Sequence, residues 1–329
     1  MAAKKILVSG IQSSGKLHIG NYFGAIKQNI ELGNRDEYEA YIFLADYHSM
    51  TTLTDATERI ANTLDAACTY LAFGLDPQKV TLFKQSDVPE VHELTWILNT
   101  VTPMPLLMLA HAFKDQDAKN KNVSVGLFDY PVLMASDILI YDGEVVPVGR
   151  DQEQHVEIAR ELAGKFNRAY GSLLRLPQSY IKKDVATVPG IDGVKMSKSK
   201  NNHIPLFGSP EETKKRIMSI VTDSANPEDK KNPDTNNIYN IHKLFLTLDE
   251  DIALRLKFSD GGYGYKEAKE ALHKTFTTWI APYQEKYMHY NTHPELVRTI
   301  LEEGGAVAKA KAQQKMHHIR IATGLDKKP

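Results

Sequence analysis

Three short runs of β-prone apolar residues constrain this chain most: Ile6-Leu7-Val8-Ser9, Ala40-Tyr41-Ile42-Phe43-Leu44-Ala45 and Val80-Thr81-Leu82-Phe83. Runs this short and this continuous read as strands buried on both faces, as in a parallel sheet. Between the second and third, Asp55 with Glu58 three residues on reads as a helix start. Ile60, Leu64, Ala67 and Leu71 then keep helical spacing, and Gly74 is a stop. Strand, helix, strand at this pitch predicts βαβ units and a Rossmann-like, doubly wound α/β fold. Ligands of such sheets bind beyond the carboxyl ends of the strands. Three polar sets fall there: Gly10 to Gly20, Asp46-Tyr47-His48, and Gly149 to His155 after the strand-like Val145-Val146-Pro147-Val148.

The pattern changes after about residue 205. Helical periodicity runs over Glu211 to Ile220, Ile238 to Leu248, Tyr265 to Tyr290 with a kink expected at Pro282, and Ala306 to Gly324. Asp223 to Asn237 holds no large apolar residue and reads as an exposed loop. The expected division is an α/β domain over residues 1–205 and a smaller all-helical domain over 206–329, whose last helix is placed to pack back on the first.

Gly10-Ile11-Gln12-Ser13-Ser14-Gly15-Lys16 satisfies seven positions of a P-loop directly after a strand. The eighth requires a Ser or Thr hydroxyl for magnesium, and Leu17 has no oxygen to offer. The competing reading extends through His18-Ile19-Gly20-Asn21 to Gly24, where a loop feeds a helix N-terminus and phosphates meet free N–H groups. On this segment alone, a glycine-rich turn without a ligand is the default. Far downstream, Lys195-Met196-Ser197-Lys198-Ser199 follows the irregular Pro189-Gly190-Ile191-Asp192-Gly193. Alone it is a solvated basic surface. As a loop that closes on a polyphosphate, its ammonium groups would balance charge as pyrophosphate leaves.

A histidine-glycine segment near the start with KMSKS far downstream resembles the class I aminoacyl-tRNA synthetases. Further blocks are similar to tryptophanyl-tRNA synthetases of bacterial type over nearly the whole chain: Ser9 to Gln12 with Ser14-Gly15 and Ile19 to Tyr22, Tyr130 to Leu139, Val146 to His155, and Val221 to Ser224. The resemblance implies an ATP-dependent, AMP-forming tryptophan–tRNA ligase whose helical domain binds the anticodon. It implies an ATP site from Gln12, Ser13, Ser14, Gly20 and Asn21, with Gly149, Arg150 and Asp151 on the adenosine side, Val185 against adenine, and Lys195, Met196, Ser197, Lys198 and Ser199 in a mobile phosphate loop. His18, Lys195 and Lys198 are the implied catalytic set. Gln152 and His48 fall where the family shapes the amino-acid pocket.

Tyr130, Met134 and Asp137 are spaced i, i+4, i+7 and share a helix face. Indole N–H is a donor with no acceptor function, so an apolar pocket for it needs one fixed acceptor, and Asp137 is the candidate. Three departures from the family pattern stand out: Ser13 where a proline is common, Arg150 where an acid is frequent, and Gln116 where a lysine helps hold ATP phosphates. Lys114, Lys119 and Lys121 are the nearby cations that would substitute.

The expected substrates are MgATP and L-tryptophan, with no tightly bound prosthetic group and no protein-held metal; the expected partners are tRNA(Trp) and a second copy of the chain. The rivals are a tyrosyl-tRNA synthetase, a P-loop NTPase and a non-catalytic RNA-binding paralogue. The stretch Leu94 to Leu98 and Leu106 to Leu109 reads as core or as the dimer interface. One cysteine, Cys68, in 329 residues rules out an internal disulfide and suits a reducing cytoplasm, and no apolar run is long enough for a membrane span. With 40 Lys+Arg against 41 Asp+Glu, the chain is not an indiscriminate polyanion binder. A local basic segment, Lys309, Lys311, Lys315, Arg320, Lys327 and Lys328 against Asp326, leaves room for a selective one.

Overall fold

A computed structural model describes residues 3–109, 124–182 and 188–327. Five strands form one parallel sheet: β1 (Lys5–Gln12), β2 (Tyr38–Ala45), β3 (Val80–Lys84), β4 (Val145–Pro147) and β5 (Gln178–Tyr180). Their order is β3-β2-β1-β4-β5, with Leu7 in register with Ala40 on one side and Val145 on the other. The chain therefore winds outward from β1 twice, in opposite directions. The crevice between β1 and β4 is the switch point at which such sheets bind ligands. β5 was not among the expected strands. It is three residues of mostly polar, exposed edge, too short and too polar to carry an apolar signal.

The expected helix after β2 is α2 (Ala56–Ala72); the Asp55 carboxylate accepts from the Glu58 N–H at 2.9 Å, and Gly74 ends it at φ +92°. The segment after the glycine loop begins with a turn at Ile19–Asn21 and a π-helical stretch at Tyr22–Ile26, then becomes α1 (Lys27–Gly33). Helices α3 (Glu90–Asn99), α4 (Val125–Leu139) and α5 (Glu153–Tyr170) complete the α/β part. Side chains alternate along the strands between two cores. Leu7, Ile42 and Leu44 face one, with Tyr70 of α2; Val8, Tyr41 and Phe43 face the other, with Leu139 and Phe166.

The helical part comprises α6 (Pro210–Met218), α7 (Asn237–His242), α8 (Leu248–Asp260), α9 (Tyr265–Thr292) and α10 (Pro294–Thr323). Pro282 lies inside α9. Three expectations are corrected here. The helix expected over Ile238 to Leu248 stops at His242, because Thr247 and Glu250 form a capping box that starts α8 instead. The last helix begins at Pro294 rather than Ala306: Gly304 and Gly305 are helical, and a Cβ on Gly304 would run into the Leu82 carbonyl of β3. Glycine here permits close approach of helix to strand. The stretch Asp223 to Asn237 is not wholly exposed, since Lys231 is buried and its ammonium donates to the carbonyls of Asn226, Pro227 and Asp229 at 2.9, 3.2 and 2.9 Å.

Both cores continue past residue 205: Phe258, Phe276 and Leu301 join the first, and Ala308, Ala312, Met316 and Ile319 the second. The basic segment of α10 is partly committed within the chain. Lys315 pairs with Asp142 at 2.5 Å and donates to the Leu173 carbonyl, and Arg320 forms a two-pronged pair with Glu93. Cys68 is fully buried, and burial pushes its thiol up to about 12, so it is inert. No described helix is long and apolar enough to cross a membrane.

Candidate active site

At the carboxyl ends of β1, β2 and β4 lies a cavity of about 440 Å³. Its walls are mainly apolar, with Ile11, Phe43, Ile138, Val146 and Val148 among them, which suits a small-molecule site. Seven of the site residues singled out from the sequence line it together with these: Gln12, His48, Tyr130, Met134, Asp137, Gly149 and Gln152. α4 therefore presents its aromatic, thioether and carboxylate to one space. The Tyr130 hydroxyl lies 2.6 Å from His155 Nε2, and the His48 ring meets Tyr130 edge-to-face with centroids 4.8 Å apart. Burial, and secondarily His155, lowers His48 to about 4, so it is neutral at ordinary pH.

Asp137 is 4% exposed. Its Oδ2 accepts from Gln85 Nε2 at 2.7 Å, and Gln85 Oε1 accepts in turn from the His48 backbone N–H at 3.1 Å. Burial raises the Asp137 carboxyl well above the ordinary range, Asp46 adds to this, and the Gln85 hydrogen bond opposes it. Gln85 fixes the direction in which the acid presents its remaining lone pairs. The sequence reading missed Gln85. The signal available was its position, the first residue after β3, at the same edge of the sheet as the three polar sets.

The two loops meet beside this cavity. The Ile19 N–H donates to the Ile204 carbonyl and the Leu206 N–H to the Leu17 carbonyl, so the glycine loop and the segment after KMSKS are stitched together. Lys198 Nζ donates to the Gly15 carbonyl at 2.5 Å. Lys195 Nζ reaches Asp151 Oδ2 at 2.8 Å. Partial burial raises Asp151, but the hydrogen bond and charge of Lys195 outweigh it and hold the carboxyl below its usual range. Burial lowers Lys198 to about 8, against the opposing charge of Asp65. His18 is buried, and burial, Lys198 and His203 together lower it to about 3. Its imidazole is thus a neutral hydrogen-bonding group, and Nδ1 has no protein partner among the described residues. The Asn21 side chain accepts from the His18 N–H at 3.1 Å, and a Cβ on Gly20 would crowd the His18 ring, which explains the glycine.

The KMSKS loop is wound around Asn202, which is 2% exposed and was not foreseen. Asn202 Oδ1 accepts from the Ser197 N–H at 2.7 Å, and its Nδ2 donates to Asp192 Oδ1 at 2.8 Å and the Lys195 carbonyl at 3.2 Å. Ser197 and Ser199 hydroxyls lie 2.9 Å apart. Two expected ATP residues point elsewhere. The Ser13 side chain is fully buried and its hydroxyl accepts from Thr63 of α2 at 3.0 Å; the Met196 side chain belongs to the core. Both leave only backbone to offer a nucleotide. Ser14 is half-buried, and Arg150 is exposed on the turn after Gly149. Val185, Gln116, Lys114, Lys119 and Lys121 lie outside the described residues. The Leu17 side chain is in the core, so nothing there resembles the magnesium-binding hydroxyl of a P-loop.

The family pattern of the tRNA synthetases class I (W and Y) matches residues 2–280. The chain belongs to that family. Among its relatives in the class I (W and Y) group, a tryptophan–tRNA ligase of Fusobacterium nucleatum is 47% identical over 319 residues, 97% of each chain. One from Rhodopirellula baltica is 45% identical over 319 residues, 97% of this chain and 99% of its own. The crystal structure of Campylobacter jejuni tryptophanyl-tRNA synthetase complexed with ADP and tryptophan matches with a TM-score of 0.88 at 45% identity, covering 97% of this chain and 99% of that one. The tyrosyl-tRNA synthetase of Archaeoglobus fulgidus shares the fold at a TM-score of 0.63 and 19% identity, over 86% of this chain and 90% of that one. For this class I (W and Y) synthetase, then, the crevice between β1 and β4 is the expected place for an amino acid and a nucleotide to meet.

Proposed function

We propose that the chain is a tryptophan–tRNA ligase: it activates L-tryptophan with MgATP and transfers it to the 3′ end of tRNA(Trp). The observation that carries the reading is Asp137, a buried acceptor aimed by Gln85 in a mainly apolar cavity that also reaches Gln12 and Gly149. Indole N–H satisfies that acceptor. Phenylalanine leaves it unpaired, at a cost of about 1–3 kcal/mol.

The tryptophan carboxylate attacks the α-phosphate of ATP in line, forming tryptophanyl-adenylate and releasing pyrophosphate. The substrate carboxylate is already ionised, so no enzyme base is needed, and catalysis is positioning plus electrostatics. His18, neutral at working pH, donates a hydrogen bond to the phosphates and carries no charge there. The backbone at Gly20 offers N–H groups. Lys195 leaves Asp151, and Lys198 gains full charge, when phosphate oxygens enter between the loops; magnesium arrives with ATP and balances the rest. We assign residues 1–205 to catalysis and 206–329 to the tRNA, with the uncommitted cations of α10, Lys309 and Lys311, open to phosphate contacts. A homodimer would cover Trp96, Met104, Met108 and Leu109, which stand exposed beside the buried Leu94, Leu98 and Leu107. The place of work is the cytoplasm. The test is pyrophosphate exchange across the twenty amino acids: exchange is expected with tryptophan alone, and exchange driven by tyrosine would overturn the assignment.

A further inference from the structure

Asp65 of α2 is half-buried and lies outside the cavity, between α9 and the glycine loop. Its Oδ1 accepts from the Tyr287 hydroxyl of α9 at 2.5 Å, across 222 residues of chain. The Leu17 N–H, one residue before His18, and the charges of Lys16 and Lys198 all act to lower the same carboxyl. The contacts close a ring. The Tyr287 ring stacks on Phe207 with centroids 4.1 Å apart and planes 12° from parallel, and Phe207 follows Leu206, whose N–H holds the Leu17 carbonyl. Two residues before Asp65, Thr63 holds the Ser13 hydroxyl. Lys198 completes the circuit through the Gly15 carbonyl.

We propose that Asp65 is a positioning residue for adenylate formation: it holds the glycine loop and Lys198 in register for the phosphates and passes the placement of α9 to both. Asp65 and Lys198 are both half-buried and act on each other by charge without forming a close ion pair, so their placement serves geometry rather than stability. The remaining partners agree. Burial raises the Asp65 carboxyl above the ordinary range while Tyr287, Lys16, Lys198 and the Leu17 N–H pull it down, and Asp65 in turn supports the charge on Lys198. A helix of the C-terminal part thereby acts on a loop of the catalytic part through one hydroxyl.

The inference rests on the proposed tryptophan activation, so wild-type exchange with tryptophan is measured first; its absence would strike that reading and not this one. Asp65→Asn keeps the volume and one acceptor oxygen for the Tyr287 hydroxyl, replaces the other oxygen by an NH2 donor and removes the charge. Its single-turnover rate of adenylate formation is expected to fall about tenfold, with tryptophan binding by calorimetry unchanged. In a Lys198→Ala background the same change is expected to add less than about twofold, because the two groups act as a unit. A rate within about twofold of wild type, or effects that simply multiply with Lys198→Ala, overturns the proposal. Should Asp65→Asn fail to fold, Tyr287→Phe decides: a rate loss of about threefold or more with unchanged tryptophan binding is expected, and a wild-type rate refutes it.

Discussion

Replacing Gln85 by methionine tests whether Asp137 works as a pre-aimed acceptor. Methionine keeps the volume of the side chain and removes both of its hydrogen bonds, so packing is spared while the polar contacts are lost. Gln85 is 1% exposed and is held between Asp137 Oδ2, 2.7 Å away, and the His48 N–H, 3.1 Å away. A hydrogen bond to a carboxylate contributes about 1.5–3 kcal/mol. Only the part realised when tryptophan is bound enters the affinity, and orientation of the acid is that part. At about 1.4 kcal/mol per factor of ten, tryptophan binding should weaken roughly 10- to 150-fold. The pH dependence carries a second signature. The Gln85 bond holds the Asp137 carboxyl down against burial, so its loss raises an already raised carboxyl further. The acid then stays protonated to higher pH than in wild type, and affinity should recover as pH rises. Titration calorimetry with tryptophan at several pH values reads both effects. Binding within about twofold of wild type, with the same pH profile, would refute the argument.

Asp137→Ala is expected to weaken tryptophan binding and to narrow the margin over phenylalanine; a wild-type preference in calorimetry rules this out. Lys195→Ala should slow adenylate formation in single-turnover measurements while leaving tryptophan affinity nearly unchanged, and an unaltered rate removes Lys195 from the reaction. His18, His48 and His242 are depressed to about 3, 4 and 4, chiefly by burial, so as the pH falls through the ordinary histidine range the unfolded chain takes up protons that the folded chain does not. Their contribution to stability is present above about pH 6.5 and drains away as the pH falls toward 4; thermal midpoints should drop through that window, and His242→Gln should flatten the slope. Gly304→Ala should destabilise by about 2 kcal/mol or more, although Gly to Ala in an open helix gains about 1 kcal/mol, because the new Cβ meets the Leu82 carbonyl. A raised thermal midpoint would show that α10 moves off β3 without cost.

The sheet was legible because β1, β2 and β3 are buried on both faces and advertise it as unbroken apolar runs, while β5, polar and at the edge, does not. Asp137 was legible because helical spacing placed it with Tyr130 and Met134. Gln85 and Asn202 were not, since an amide is read as surface until one sees that its partners are a buried carboxyl, for Gln85, or the loop over residues 192–197, for Asn202. Ser13 and Met196 sit within motifs whose neighbours face the crevice, and only burial distinguishes a side chain that looks inward. α8 and the first turns of α10 were hidden for different reasons, one because Leu248, Ile252 and Leu256 stand exposed and blur its inward face of Leu254 and Phe258, the other by glycines that serve contact rather than bending.

The seating of α10 on β3 also dictates an order of events during synthesis. Glu93 and Arg320 lie 227 residues apart, and Gly304 faces a strand completed more than two hundred residues earlier. Until residues 294–323 leave the ribosome, the β3 side of the sheet is without its cover, and Phe83 and Leu94 lack part of their packing. Such long-range closure is slow and leaves an apolar strand face available to strangers. The nascent sheet is therefore a client for chaperones over most of its translation, and its protease resistance should arrive late, in a single step, as α10 docks.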